Sequence, residues 1–157
     1  MKNLLTLHQF STRFDETISA WGGALLLLVL RVYVGWQFLH SGLIKLQNWP
    51  GTLELFHTEY HVPLLPPDLA AYMGAGGELF LPCLLFVGLF SRPAALGLLG
   101  VNAMAVISYP QLFEFECPAA INDHFYWTIL LLVVVVFGAG RFSVDALLGK
   151  LAPKTTA

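Results

Sequence analysis

Four stretches of the chain are almost wholly apolar, at about residues 21–46, 70–90, 94–109 and 125–140, with polar segments rich in Pro and Gly between them. A helix that crosses a bilayer core needs about 20 mostly apolar residues, with a lower limit near 17. The first two stretches reach that length and the last two lie near its limit. Trp21, Trp49, Tyr72, Tyr109, Tyr126 and Trp127 fall close to the proposed ends, where interfacial aromatics sit. The pattern predicts an all-α protein, an integral membrane four-helix bundle over residues 21–142. A segment of residues 1–20 precedes it and a tail of residues 143–157 follows. In the first segment Leu7, Phe10, Phe14 and Ile18 recur at helical spacing. That spacing predicts a short amphipathic helix on the membrane surface, with a disordered tail as the alternative. Asp15 and Glu16 interrupt any apolar core there, so a cleavable signal peptide is not expected.

Composition supports the membrane reading. The chain is 57% hydrophobic and 11% charged, against about 45–50% and about 25% in soluble domains. A formal net charge of −2 gives no basic patch of the kind nucleic-acid binding requires. Cys83 and Cys117 are too few for a disulfide framework and form no CxxC pair. The charge distribution sets a direction. Outside the spans the basic residues Lys2, Arg13, Arg92, Arg141, Lys150 and Lys154 all lie in the N-terminal segment, the second loop or the tail. The first loop, Gln47–Leu69, and the third, Pro110–His124, hold acids and histidines but neither Lys nor Arg. By the positive-inside rule both termini are expected in the cytoplasm, with the protein in a bacterial inner membrane.

Against this apolar background a few charged positions stand out. Arg31, Gly35, Phe38, Gly42 and Lys45 stand at offsets of 0, 4, 7, 11 and 14, one face of an α-helix. The two glycines let a neighbouring backbone approach that face, so it should point into the bundle. Glu78 lies in the second span and Asn102 in the third. At about 1.5 Å of rise per residue, Arg31 and Glu78 are expected to differ by roughly 5–8 Å in height, a gap long side chains can close. An unpaired ion at mid-membrane costs about 2.5–3.5 kcal/mol on insertion scales. An Arg31–Glu78 pair, assisted by Lys45 or Asn102, is therefore expected. It serves either helix packing, as buried pairs often do, or a ligand.

These residues resemble the DoxX family. "LRVYVGWQFLHSGLIKL" is similar to its first helix, "GAGGELFLPCLLFVGLFSRPAAL" to its second, and "GAGRFSVDALL" to the ending after its fourth. By position Arg31, Gly42, Lys45, Glu78, Arg92, Gly140, Ser143 and Asp145 match the family pattern. The resemblance implies a four-helix inner-membrane protein with a loose link to electron transfer through quinone-coupled oxidoreductases. His57, His61 and His124 depart from the pattern. No haem, flavin or iron–sulfur motif is present, so electrons would pass through a partner protein or a diffusible quinone.

The loops add two candidate sites. His57 and His61 are four apart and could share a metal on a helical turn, but two ligands do not make a site and the sequence is not HExxH; solvated histidines are the plainer reading, and no metal is expected. His124, beside Asp123 and Trp127, is a candidate for proton exchange near neutral pH or else an interfacial residue at a helix start. Pro50-Gly51 ends the first span, and Leu53, Phe56 and Tyr60 then predict a short helix capping the outer end. After Gly140, Ser143 or Asp145 should cap a short helix from Val144 to Leu151.

Three functions fit. The first is a redox-associated subunit binding quinone or another lipid-soluble substrate, with Arg31, Lys45, Glu78 and Asn102 on its polar head and Phe38, Phe80 and Phe86 as walls. Its partners would be the lipid bilayer, a quinone, and a redox protein or a second copy of the chain. The second is a non-catalytic scaffold. The third, a small transporter, fits less well because four short spans carry no broken-helix inverted repeat.

Overall fold

The computed structural model describes Thr12, Asp15 and residues 18–114 and 119–151. Of the expected amphipathic face, Leu7, Phe10 and Phe14 lie outside them, as does the loop residue Cys117, while Ile18 lies within them. The described residues are helical and connected by short loops. A π turn, Ile18–Gly22, leads into α1 (Gly23–Gln47). Then follow α2 (Trp49–Thr58), α3 (Pro67–Val87), α4 (Ser91–Ser108), a 3₁₀ turn at Pro110–Phe113, α5 (Ala119–Phe137) and α6 (Val144–Leu151).

The ends follow from local chemistry. Pro50 stands in the first turn of α2, where its missing N–H costs nothing, and the Asn48 side chain accepts from Gly51 N at 3.2 Å. Pro67 opens α3 in the same way. The sequence places the end of this span near residue 90; the helix stops at Val87 because Gly88 turns left-handed (φ +70°) and its N–H returns to Leu85 O at 3.2 Å. Gly138 and Gly140, also at positive φ, end α5. That helix begins earlier than its apolar stretch, so Asn122, Asp123 and His124 belong to α5 rather than to a loop. Ser143 Oγ accepts from Ala146 N at 3.1 Å and caps α6, as one of the two expected alternatives required.

The long helices pack α1 on α3, α3 on α4, α4 on α5 and α5 back on α1, while α2 lies across α3 and α1. Val34, Phe38, Leu85, Leu98, Leu131 and Val134 form the central core with Ala94 and Ala95. The face of α1 expected to pack does so: Arg31, Gly35, Phe38 and Gly42 are buried. A Cβ on Gly35 would lie 2.7 Å from Phe86 Cε1, and one on Gly42 would lie 3.0 Å from Glu78 Cβ. Glycine is thus required at the α1–α3 crossing by close approach. Large apolar side chains such as Val29, Trp36, Phe80, Ile129 and Phe137 face outward. Ile18–Gln47, Pro67–Val87 and Ala119–Phe137 are long and apolar enough to cross a membrane.

Candidate functional site

The crossing that brings Gly42 against Glu78 also brings Glu78 to Lys45, three residues beyond Gly42. Lys45 Nζ donates to Glu78 Oε2 at 2.6 Å and to Ser41 Oγ, one turn earlier, at 2.9 Å. The expected Arg31–Glu78 pair does not form. Because α3 runs antiparallel to α1 with Gly35 at Phe86 and Gly42 at Glu78, Arg31 is level with the far end of α3. Gly42, level with Glu78, stands eleven residues along α1 from Arg31, roughly 16 Å at about 1.5 Å per residue. No side chain closes that distance.

Arg31 is wholly buried and serves a different purpose. Its Nη1 donates to Leu85 O at 2.7 Å, in the last turn of α3, and its Nη2 to Phe142 O at 2.6 Å. Around it the end of α3, the start of α4 and the start of α6 are tied together. Asp145 N donates to Gly88 O at 2.9 Å, and the Asp145 carboxylate accepts from Phe90 N at 2.9 Å and Ser91 N at 3.0 Å, capping α4. Burial pushes the Asp145 pKa up, but the backbone N–H groups of Ser91 and Phe90 and the nearby Arg31 cation prevail, and the carboxyl sits below its ordinary value. Arg92 Nε donates to Val135 O at 3.1 Å and its Nη2 to Val136 O at 3.3 Å, a cation at the C-terminus of α5. This end is a clasp.

The other end holds a cavity of about 420 Å³ between α1, α3, α4 and α5, covered by α2 and the loop after it. That size lies within the range of roughly 300–1,000 Å³ typical of small-molecule sites. Its walls are mostly apolar, with Phe38, Phe56, Met73, Val101, Met104 and Trp127 among them. Lys45, Glu78 and Ser41 form one polar region; His124, Gln37 and Ser108, with Tyr60 and Tyr109 near the cover, are the other polar residues of the lining. The Tyr60 ring stands edge-on to Tyr109 at 5.3 Å and to Phe56 at 4.9 Å. Burial, with Tyr109, Glu78 and Glu59 nearby, raises the Tyr60 phenol above its ordinary pKa, so it stays a neutral donor. The loop is held by His61 N donating to Ser108 O at 2.8 Å.

Of the six candidate residues, Lys45, Glu78, His124 and Trp127 line this cavity. Asn102 lies behind it, bonded to His124 and Thr128 on α5 instead of near Arg31. Arg31 belongs to the clasp. Phe38 is a wall, whereas Phe80 faces outward and Phe86 packs on Gly35. His57 does not join His61: its Nε2 lies 2.7 Å from Asp68 Oδ1, tying α2 to the start of α3, and His61 Nδ1 lies 2.9 Å from Glu59 O. Among the described residues no three of His, Cys, Asp and Glu converge on a metal position. Sequence reasoning missed Gln37, Ser41, Tyr60, Ser108 and Tyr109 as lining residues. Ser41 was legible, since it precedes Lys45 by one helical turn; the tyrosines were not, because a loop brings them in.

The outward apolar faces, the membrane-length helices and the enclosed polar groups define a small all-helical membrane protein with an internal ligand-sized cavity. A family model for DoxX matches residues 26–110, from α1 through α4, and the chain belongs to the DoxX family. A Haemophilus influenzae protein, described as uncharacterized, is 30% identical over 142 residues, covering 88% of this chain and 93% of that one. No solved structure matches the chain.

Proposed function

We propose that the protein is a redox-associated inner-membrane subunit that takes a lipid-soluble molecule with a polar head, a quinone or a compound of similar shape, into the cavity beside Lys45 and Glu78. The observation that carries this reading is the cavity itself, whose mostly apolar wall is interrupted by the Lys45–Glu78 pair and by His124. An apolar tail is accommodated by the wall, and a polar head finds both donors and acceptors. In this reading α1, α3, α4 and α5 are the four spans. The basic residues at the clasp end lie in the cytoplasm with both termini, and α2 covers the outer end. Electrons, where the bound molecule carries them, are exchanged with a partner protein or a second copy.

The scaffold reading keeps one observation in its favour, the use of both Arg31 Nη groups on backbone carbonyls. It explains the clasp but not the cavity. The two are separated by extracting the protein into lipid nanodiscs and identifying co-extracted small molecules by mass spectrometry. A stoichiometric lipid-soluble compound, lost in a Glu78→Gln variant that circular dichroism shows to be folded, is the expected result. Background amounts in both proteins would leave only the scaffold.

A further inference from the structure

His124 lines the cavity, but its ring is held from behind by groups that dictate which of its nitrogens carries the proton. The His124 backbone carbonyl can only accept hydrogen bonds. Asn102, almost wholly buried on α4, places its amide 2.9 Å from that carbonyl, so the atom there is the donor Nδ2. Thr128 Oγ1 also lies 2.9 Å from the same carbonyl and spends its one hydrogen on it. The hydroxyl oxygen therefore accepts the second Nδ2 hydrogen of Asn102, at 2.9 Å. With both amide hydrogens used, Asn102 Oδ1 is left as an acceptor, and it faces His124 Nδ1 at 2.7 Å. His124 Nδ1 must carry a hydrogen. A neutral imidazole has only one, so Nε2 presents a bare lone pair. The edge-on contact of the ring with Trp127, at 4.9 Å between centroids, holds it in that orientation.

The Lys45 end does not discriminate in this way. The ammonium has three hydrogens, of which Ser41 and Glu78 take two, and the Glu78 carboxylate has a second oxygen. A ligand can meet that end as donor or as acceptor, but it can meet His124 only as donor.

Resting on the reading that the cavity binds a lipid-soluble molecule, we infer that it selects ligands whose polar head carries a hydroxyl, such as a phenol, a hydroquinone or an alcohol, over the same skeleton with acceptors alone. His124 Nε2 reads the hydroxyl, and Asn102 is the positioning residue that fixes the tautomer. For a molecule with oxidised and reduced forms, the reduced, hydroxyl-bearing form is the one retained.

The test uses a redox-inert pair, 4-decylphenol and 4-decylanisole, titrated calorimetrically into the full chain in nanodiscs. The phenol should bind about tenfold more tightly, the worth of one hydrogen bond. In His124→Phe, which keeps a packed ring but cannot accept, the two should bind alike. Nitrogen-15 NMR of the wild type, with the His124 signals assigned by their loss in that variant, should show a protonated Nδ1 and a bare Nε2. In Asn102→Leu the two tautomers should mix. Equal affinities in the wild type, tighter binding of the anisole, or a protonated Nε2 in the neutral ring would overturn the inference while leaving the cavity a binding site. Binding of neither compound would overturn both.

Discussion

Arg31 and Lys45 share one face of α1, yet they are accommodated by different means. Lys45 meets a carboxylate and a hydroxyl beside open space, and its charge remains available to a ligand. Arg31 meets only backbone carbonyls and is sealed in. Hydrogen bonds from a charged donor contribute about 1.5–3 kcal/mol each in water-soluble proteins, and polar contacts inside membranes average somewhat less. Arg31→Met should therefore lower the thermal midpoint in detergent by more than any substitution at Lys45. Arg31→Lys should recover part of the loss, because one ammonium lacks the fork that spans Leu85 O and Phe142 O. A melting curve for Arg31→Met equal to the wild type would contradict the clasp. The residues themselves were legible in the sequence, since charge in an apolar run stands out; their partners were not. Pairing depends on the register between antiparallel helices, which is set where Gly35 meets Phe86 and Gly42 meets Glu78, and no local pattern in either helix reveals it.

At the scale of elements, two joints decide the register. Gly88 ends α3 in a left-handed conformation, and a Cβ there would collide with Arg31 Nη1 and with Ser143. Gly88→Ala should destabilise the protein by more than the roughly 1 kcal/mol at which incompatible backbone changes begin. Gly76, in the same helix but with nothing near its Cβ position, should tolerate Ala without loss; chemical unfolding of the two variants side by side measures the contrast. The second joint is the cap that Asp145 places on α4. Its folded pKa lies below the unfolded value of about 3.9, so the folded state holds the proton less tightly. The stabilisation is complete above that unfolded value and is lost as pH falls through the lower folded one. Asp145→Asn, which keeps only one of the two acceptors and loses the charge, should melt below the wild type at neutral pH, with the difference shrinking when melting is repeated in acid. A gap independent of pH would show that the carboxylate charge contributes nothing. The caps at Ser143 and Asn48 could be anticipated from local sequence, whereas the reach of Asp145 to Phe90 and Ser91 could not, because more than fifty residues separate them.

Over the whole molecule the usual arrangement of a soluble protein is inverted. Alanines, glycines and polar groups occupy much of the interior, while leucines, valines and aromatics cover the outside. Small residues let helix backbones approach where lipid supplies no hydrophobic drive between them. The helical class and membrane-length segments were readable from hydropathy alone. The cavity was not, since it exists only where four helices and a covering loop leave space. The proposed orientation makes a direct prediction. In a variant lacking the native cysteines, Glu54→Cys on α2 should react with a membrane-impermeant maleimide added to intact cells, and Lys150→Cys on α6 should react only after lysis. The reverse pattern would place both termini outside.

Whether the cavity at the Lys45 end receives a lipid-soluble molecule is decided by photolabelling in nanodiscs with an alkyl-tailed quinone carrying a diazirine, followed by peptide mapping. Adducts are expected on cavity residues such as Met73, Met104 and Trp127, removed by excess unlabelled quinone. Adducts confined to the outward face of α1 at Val29, Val32 and Trp36, and indifferent to competitor, would show that the molecule only dissolves in the surrounding lipid, and would contradict its entry into the cavity.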